Sequence, residues 1–259
     1  MTDTAARMTA ESFLSRLADR GIEYVLANAG TDFAPIIEAL SRNPGSNRKY
    51  PRVITVPHEN VAVAMAHGYY RVSGKPAVVM VHVTVGTANA VCALMNAARD
   101  NVPIILSAGR TPLTETGHAA SRNRSIHWGQ EMFDQGGLIR EFVKWDYELR
   151  AGQSADSVVD RALDIAMSEP RGPVYLTLPR EVLAEGRYFH AIDTWERSLP
   201  FCVQELGEDL WLFATDWPHG DTAWPEGLDQ VVNRPELGER AKRKILSENA
   251  MRLCPRLRA

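Results

Sequence analysis

Glu59 and His82 are the side chains whose types and positions point most directly to chemistry. Glu59 lies in Val56-Pro57-His58-Glu59-Asn60, where the β-branched run Val53-Ile54-Thr55-Val56 gives way to the alanine-rich Ala62-Val63-Ala64-Met65-Ala66. A carboxylate at the junction of a buried strand and a helix is costly to desolvate, and a ring nitrogen of a ligand is one partner that offsets the cost. The alternative is a plain helix-start acid, favoured by the dipole of the first turn. Two further apolar runs end at Gly30-Thr31 and at His82. A hydroxyl, a carboxylate and an imidazole are therefore carried to successive strand ends, which are groups suited to proton transfer. The small-residue stretch after His82, through Gly86 and Asn89, reads as a loop whose amides can approach a ligand.

The elements that must position these residues follow from periodicity and punctuation. Thr9 is expected to cap a helix with Phe13, Leu14 and Leu17 on its apolar face, ending near Gly21. Strands are expected over residues 24–27, 52–56, 77–82, 104–107 and 174–178. Helices are expected over 60–72, 89–98 and 155–167, with another starting at Pro35. Alternating strand and helix predicts an α/β fold: a doubly wound parallel sheet with helices on both faces. In such sheets ligands gather beyond the carboxyl ends of the strands, where Thr31, Glu59 and His82 fall. This unit is expected to span residues 1–186. The texture then changes: Trp195, Trp211, Trp217 and Trp224 crowd in, with a strand expected over 210–215 and a charged helix over 237–253.

Composition excludes several classes. A net charge of -3 over 259 residues gives no electrostatic footprint for nucleic acid or an anionic membrane. The three cysteines, Cys92, Cys202 and Cys254, are widely spaced and form no CxxC pair, which points to reduced thiols. Asp3, Arg7 and Glu11 precede any apolar run and no window reaches a membrane-spanning length, so a cytoplasmic location is expected.

Several motifs occur together in order: His58-Glu59-Asn60, His82-Val83-Thr84-Val85-Gly86-Thr87-Ala88-Asn89, Asn101-Val102-Pro103-Ile104, Val143-Lys144-Trp145-Asp146 and Gly172-Pro173-Val174-Tyr175. From about residue 8 to 184 the chain resembles the pyrimidine-binding domain of thiamine-diphosphate enzymes of the benzoylformate decarboxylase and acetolactate synthase type. The resemblance implies thiamine diphosphate as cofactor, with Glu59 hydrogen-bonded to its aminopyrimidine and activating its thiazolium carbon. It makes Thr31 and His82 candidates for handling the substrate carboxylate and moving protons. The benzoylformate enzyme has serine where Thr31 stands. Gly30, Gly86 and Asn89 would shape the cofactor loop, and Gln130 would lie beside the reacting centre. The implied substrate is a 2-keto acid, which is attacked at its keto carbon and loses carbon dioxide.

The family also uses a Gly-Asp-Gly motif with a downstream asparagine to grip diphosphate through magnesium. Gly220-Asp221-Thr222 with Asn233 lacks the closing glycine and the spacing. The magnesium grip is therefore expected from a partner domain or subunit, in a homo- or hetero-oligomer, and the chain by itself is expected to be inactive. Residues 187–259 resemble the carboxyl end of amidohydrolase-related barrels, an αβ appendage like the end of a TIM barrel. There Asp216 would match a metal-site aspartate and His219 a companion. None of the seven histidines forms His-x-His, so no metal site is expected and Asp216 reads as a relic. The competing functions are a non-catalytic fusion or truncated interaction module and, more distantly, a metal-dependent amidohydrolase or decarboxylase.

Overall fold

The computed structural model describes residues 8–42, 50–118, 120–185, 190–209, 211–215 and 225–253. The chain divides into two units, Met1–Arg187 and Tyr188–Ala259.

The first unit is built on runs that are apolar at every position. In β3 (Ala77–Val81) all five residues are buried, as expected of a strand covered on both faces. Six strands pair in parallel, in the order β2-β1-β3-β4-β6-β5. The others are β1 (Tyr24–Asn28), β2 (Arg52–Thr55), β4 (Ile104–Arg110), β5 (Asp146–Glu148) and β6 (Val174–Pro179). Alternate residues of β3 feed separate cores. Val78 and Met80 join Phe13, Leu14, Leu17, Val159 and Leu163 beneath α1 (Thr9–Asp19) and α6 (Ala155–Met167). Val79 and Val81 join Ala62, Ala66, Ala90 and Leu94 beneath α3 (Glu59–Ser73) and α4 (Val83–Arg99). Each fully buried aliphatic or aromatic side chain contributes about 1.5–3 kcal/mol. The remaining helices are α2 (Ala34–Ser41), α5 (Ile126–Gly129) and α7 (Arg180–Ala184). The doubly wound parallel sheet is as the sequence predicts.

Local boundaries differ from expectation in instructive ways. Thr9 lies inside α1, and it is Glu11 that closes the helix start by accepting the Met8 N–H at 3.1 Å. The stretch from Val83 to Asn89 is no loop but the first two turns of α4. Its β-branched residues lower intrinsic helix propensity, and tertiary packing overrides it. Gly86 permits the close approach: a Cβ there would sit 2.9 Å from Val81 Cβ and 3.1 Å from the Val81 carbonyl carbon. Strand β5 was not foreseen; it pairs with β6 from Asp146 to Glu148.

The second unit is a small β-α-β arrangement with further helices. Strands β7 (His190–Ile192) and β8 (Trp211–Phe213) pair in parallel on either side of α8 (Leu199–Leu206) in sequence. They are followed by α9 (Gly227–Val232), α10 (Glu239–Arg243), a π-helical segment Lys244–Glu248 and α11 (Asn249–Leu253). Helical structure starts at Glu239 rather than at residue 237. Ile192, Leu199, Trp211, Val231 and Ile245 form its own core. Asn249, fully buried, donates to the carbonyls of Glu208 and Trp211 at 2.8 and 2.9 Å.

Residues 111–118 and 120–135 belong to a long connection beyond β4, and buried polar groups hold it to α7. Arg180 donates to the carbonyls of Ala120 and Ser121 at 2.8–3.1 Å. Glu181 Oε1 accepts from the Thr114 N–H and hydroxyl at 2.9 and 3.0 Å. His127, only 2% exposed, accepts the Asn123 N–H at its Nδ1. Burial, then the positive charges of Arg180, Arg122 and Arg124, push its pKa down to about 4. The folded state thus resists protonation at His127 that the unfolded chain accepts near its ordinary value. Stability is complete above about pH 6.5 and is lost as pH falls towards 4, by about 3 kcal/mol for this one group. Denaturant unfolding of wild type and His127→Gln at pH 7 and pH 4 is expected to show a smaller acid loss in the variant. Equal losses would mean that His127 does not carry the effect.

Candidate functional site

The strand order reverses between β1 and β3. From β1 the chain moves outward to β2, then crosses back to place β3 on the other side of β1. The segments leaving β1 and β3 diverge there, opening the crevice where α/β sheets bind ligands. Gly30, Thr31 and Asp32 follow β1, His82 follows β3, and Glu59 opens α3 after β2.

His82 is fixed from both ring nitrogens. Its Nδ1 lies 2.5 Å from Asp32 Oδ1, and Gln130 Nε2 donates to its Nε2 at 2.9 Å. Asp32, with a side chain only 3% exposed, also accepts the Val83 N–H at 3.2 Å. The hydrogen bond to Asp32 raises the His82 pKa; burial opposes the rise, and the charges of Asp32 and Glu59 add to it. Two glycines make room for this pair. A Cβ on Gly30 would fall 2.1 Å from His82 Nδ1, and one on Gly109 would fall 1.8 Å from Asp32 Oδ2.

Glu59 is the first residue of α3, is 8% exposed, and accepts Asn89 Nδ2 at 2.5 Å on its Oε2. Its Oε1 has no hydrogen-bond partner among the described residues. His58 precedes it and accepts the Asn60 N–H on its own ring at 3.2 Å, which caps the helix and leaves Glu59 available for another role. Asn60 Oδ1 in turn accepts the Ala93 N–H at 3.0 Å, tying α3 to α4. A buried carboxylate with one oxygen held by an amide and the other open is suited to accept a hydrogen bond from a ligand ring nitrogen.

The sequence-derived candidates thus separate into groups. Gly30, Thr31, His82 and Gln130 gather around the end of β1 and β3, with exposed Thr31 lining a small cleft beside Asp32, Val83, Gln130 and Arg180. Glu59 and Asn89 meet each other at the start of α3, within electrostatic reach of His82. Gly86 is buried against Val81 and seats the first turn of α4 on the end of β3. Asp216 and His219 lie outside the described residues, as do Gly220, Asp221 and Thr222. Among the described residues no cluster of three or more His, Cys, Asp or Glu side chains could hold a metal ion.

Sequence reasoning missed Asp32, whose type was visible but which reads as an ordinary turn residue. It also missed a buried polar network behind the site. Gln135 Nε2 donates to the Gly109 carbonyl at 2.9 Å and to the Tyr175 hydroxyl at 2.8 Å. Tyr175 must then donate to Thr87 Oγ1, 2.8 Å away, because Thr87 gives its own proton to the Val83 carbonyl. No spacing pattern announces these contacts, which join residues up to 88 positions apart.

Comparison with known proteins adds the family. The benzoylformate decarboxylase of Pseudomonas aeruginosa is 31% identical over 172 residues, covering 63% of this chain and 29% of the relative. The acetolactate synthase isozyme 1 large subunit of Escherichia coli is 31% identical over 182 residues, covering 70% and 30%. The chain therefore spans about three-tenths of the length of these curated relatives. The crystal structure of benzoylformate decarboxylase from Polynucleobacter necessarius matches the fold, with a TM-score of 0.57 and 23% identity over 72% of this chain and 32% of that one. An amidohydrolase family model matches residues 159–256, a span that starts within α6 of the sheet and runs through the second unit. The family model for the N-terminal TPP binding domain of thiamine pyrophosphate enzymes matches residues 7–138, just over half of the 259 residues, and the chain belongs to that family.

Proposed function

We propose that residues 1–186 form the aminopyrimidine-binding half of a thiamine-diphosphate enzyme that acts on a 2-keto acid as a decarboxylase or carboligase. The observation that carries this reading is Glu59: a buried carboxylate at the carboxyl edge of the sheet, held at one oxygen by Asn89 and without a hydrogen-bond partner at the other among the described residues. When bound, thiamine diphosphate supplies a nucleophilic carbon and an electron sink for loss of carbon dioxide. Glu59 accepts a hydrogen bond from the pyrimidine ring and thereby directs a proton at that ring. Asn89 orients Glu59. Thr31 offers its hydroxyl to the substrate carboxylate. His82 holds or delivers a proton at Nε2, with Gln130 as its resting partner. Gly30 keeps the turn after β1 clear of the imidazole.

Diphosphate and magnesium are assigned to a further domain or subunit, since Gly220-Asp221-Thr222 lacks the closing glycine of the family's motif and Asn233 follows too closely. Exposed apolar side chains on the two helices that carry Glu59 and Asn89 support such pairing: Val61, Met65 and Val72 on α3, with Val85 and Met95 on α4. Residues 187–259 are assigned as an amidohydrolase-like unit with its own core.

Glu59→Gln is expected to fold normally and to slow hydrogen/deuterium exchange at the cofactor's reactive carbon about 100-fold or more in a complex completed by a diphosphate-binding domain. Exchange at the wild-type rate in the variant would remove Glu59 from the reaction. The purified 259-residue chain by itself is expected to bind the cofactor weakly and to turn over no 2-keto acid, as judged by titration calorimetry and carbon dioxide release. Turnover by that chain would overturn the division of labour proposed here. Removal of residues 187–259 is expected to change the unfolding free energy of the remaining unit by less than about 1 kcal/mol. Its collapse would show that the second unit is integral to the first.

A further inference from the structure

Asp32 belongs to no part of the reaction described so far, yet it is the most completely enclosed carboxylate at the carboxyl edge of the sheet. Its side chain is 3% exposed and both oxygens are engaged, Oδ1 by His82 Nδ1 at 2.5 Å and Oδ2 by the Val83 N–H at 3.2 Å. Three backbone features converge on it. Gly109 gives it space that any side chain would occupy, since a Cβ there would lie 1.8 Å from Oδ2. Gly30 does the same for the imidazole it faces. Val83 adopts φ 33°, in the left-handed region, where a β-branched residue is strained by about 1–3 kcal/mol. The accepted Val83 N–H helps hold that conformation and aims His82 at Asp32.

We propose that Asp32 is a positioning residue for His82: by accepting the Nδ1 proton it locks the imidazole in the Nδ1–H tautomer and leaves Nε2 as the basic nitrogen presented to the reaction. The contact at the other nitrogen agrees. Gln130 Nε2 is a donor, so an Nδ1–H tautomer with an accepting Nε2 satisfies this 2.9 Å contact as well. Gln130 is itself tied to α4, because its backbone carbonyl accepts Thr84 Oγ1 at 3.2 Å. When His82 takes up a proton at Nε2, its positive charge forms next to the Asp32 carboxylate and the Gln130 amide must turn to accept. The charged and titratable groups facing this position are Asp32 after β1 and Glu59 on α3, with Arg110 on β4, His127 on α5 and Arg180 on α7 around the adjoining cleft. The two acids favour the protonated ring, and Asp32 alone among these groups bonds it directly.

This inference rests on the reading in which His82 moves protons, and the experiment separates the two. Nitrogen-15 histidine spectra of the full chain, with His82 assigned from the signal lost in His82→Ala, report tautomer and titration directly. In wild type the expected signals are a pyrrole-type Nδ1 and a pyridine-type Nε2, with titration above that of an ordinary histidine. Asp32→Asn keeps the shape and an acceptor for the Val83 N–H; it is expected to populate the Nε2–H tautomer and move the titration downward. Gly109→Ala, which retains the carboxylate but displaces it, is expected to shift the spectrum in the same direction. An unchanged tautomer and midpoint in Asp32→Asn would overturn the proposal. In the completed complex, Asp32→Asn is expected to lower kcat about 100-fold while cofactor hydrogen/deuterium exchange stays at the wild-type rate. If His82→Ala costs turnover but Asp32→Asn does not, the positioning role in the reaction is overturned. If His82→Ala is itself silent, the assignment of His82 to the reaction fails, while the spectra still decide the tautomer.

Discussion

A carboxylate enclosed within protein needs partners on both oxygens, and at Asp32 that requirement shapes its whole neighbourhood. It calls for a donor from the end of β3, supplied by His82, and a second from the first residue of α4, supplied by Val83. It also demands glycine at position 109 in β4, beside the carboxylate, and at position 30 after β1, beside the imidazole that faces it. The start of α4 is drawn towards β1 in consequence, and Gly86 lets that helix settle directly onto Val81. One buried charge thereby links the two strands that flank the reversal of the sheet.

Around this point the fold separates rigid support from accessible chemistry. The polar network of Gln135, Tyr175 and Thr87 lies in the interior and braces α4 from behind. Glu59, His82 and Thr31 stand at the edge of the sheet, Glu59 oriented by Asn89 and His82 by Asp32 and Gln130. Asn60 couples the two helices that carry Glu59 and Asn89, so the carboxylate and the amide that holds it move as one body. Precise placement of this kind favours groups on regular elements over groups on free loops.

Much of this was legible in the sequence. Continuous apolar runs such as Ala77-Val78-Val79-Met80-Val81 declare strands buried on both sides, and their alternation with helical periods gives the sheet. Glu59 could be singled out because a carboxylate where a buried strand meets a helix is costly to desolvate and calls for a partner. The start of α4 was obscured because Val83, Thr84, Val85 and Gly86 all disfavour helix locally, and only the contact with Val81 reveals why they are there. Asp32 was hidden for a different reason. A turn aspartate at the surface and a buried one look alike until the partner 50 residues away is brought beside it. The three-residue β5 was missed because Asp146 and Glu148 break the apolar pattern by which a strand is recognised.

The order of the strands also governs how this unit reaches its native state. Neighbours β4 and β6 are joined by residues 111–173, and α1, at the amino end, is clamped to α6 through Arg16 and Arg20 with Asp160 and Asp164. Closing loops of that length precedes any return from the contacts they allow, so the sheet has the high contact order associated with slow folding. During synthesis, β1 to β4 and the residues around Glu59 and His82 emerge first, while the surfaces that α6 and β6 will cover stay bare. Most of the candidate site's residues therefore emerge before the sheet that holds them is complete, and apolar surface stays open to aggregation until β6 (Val174–Pro179) has left the ribosome.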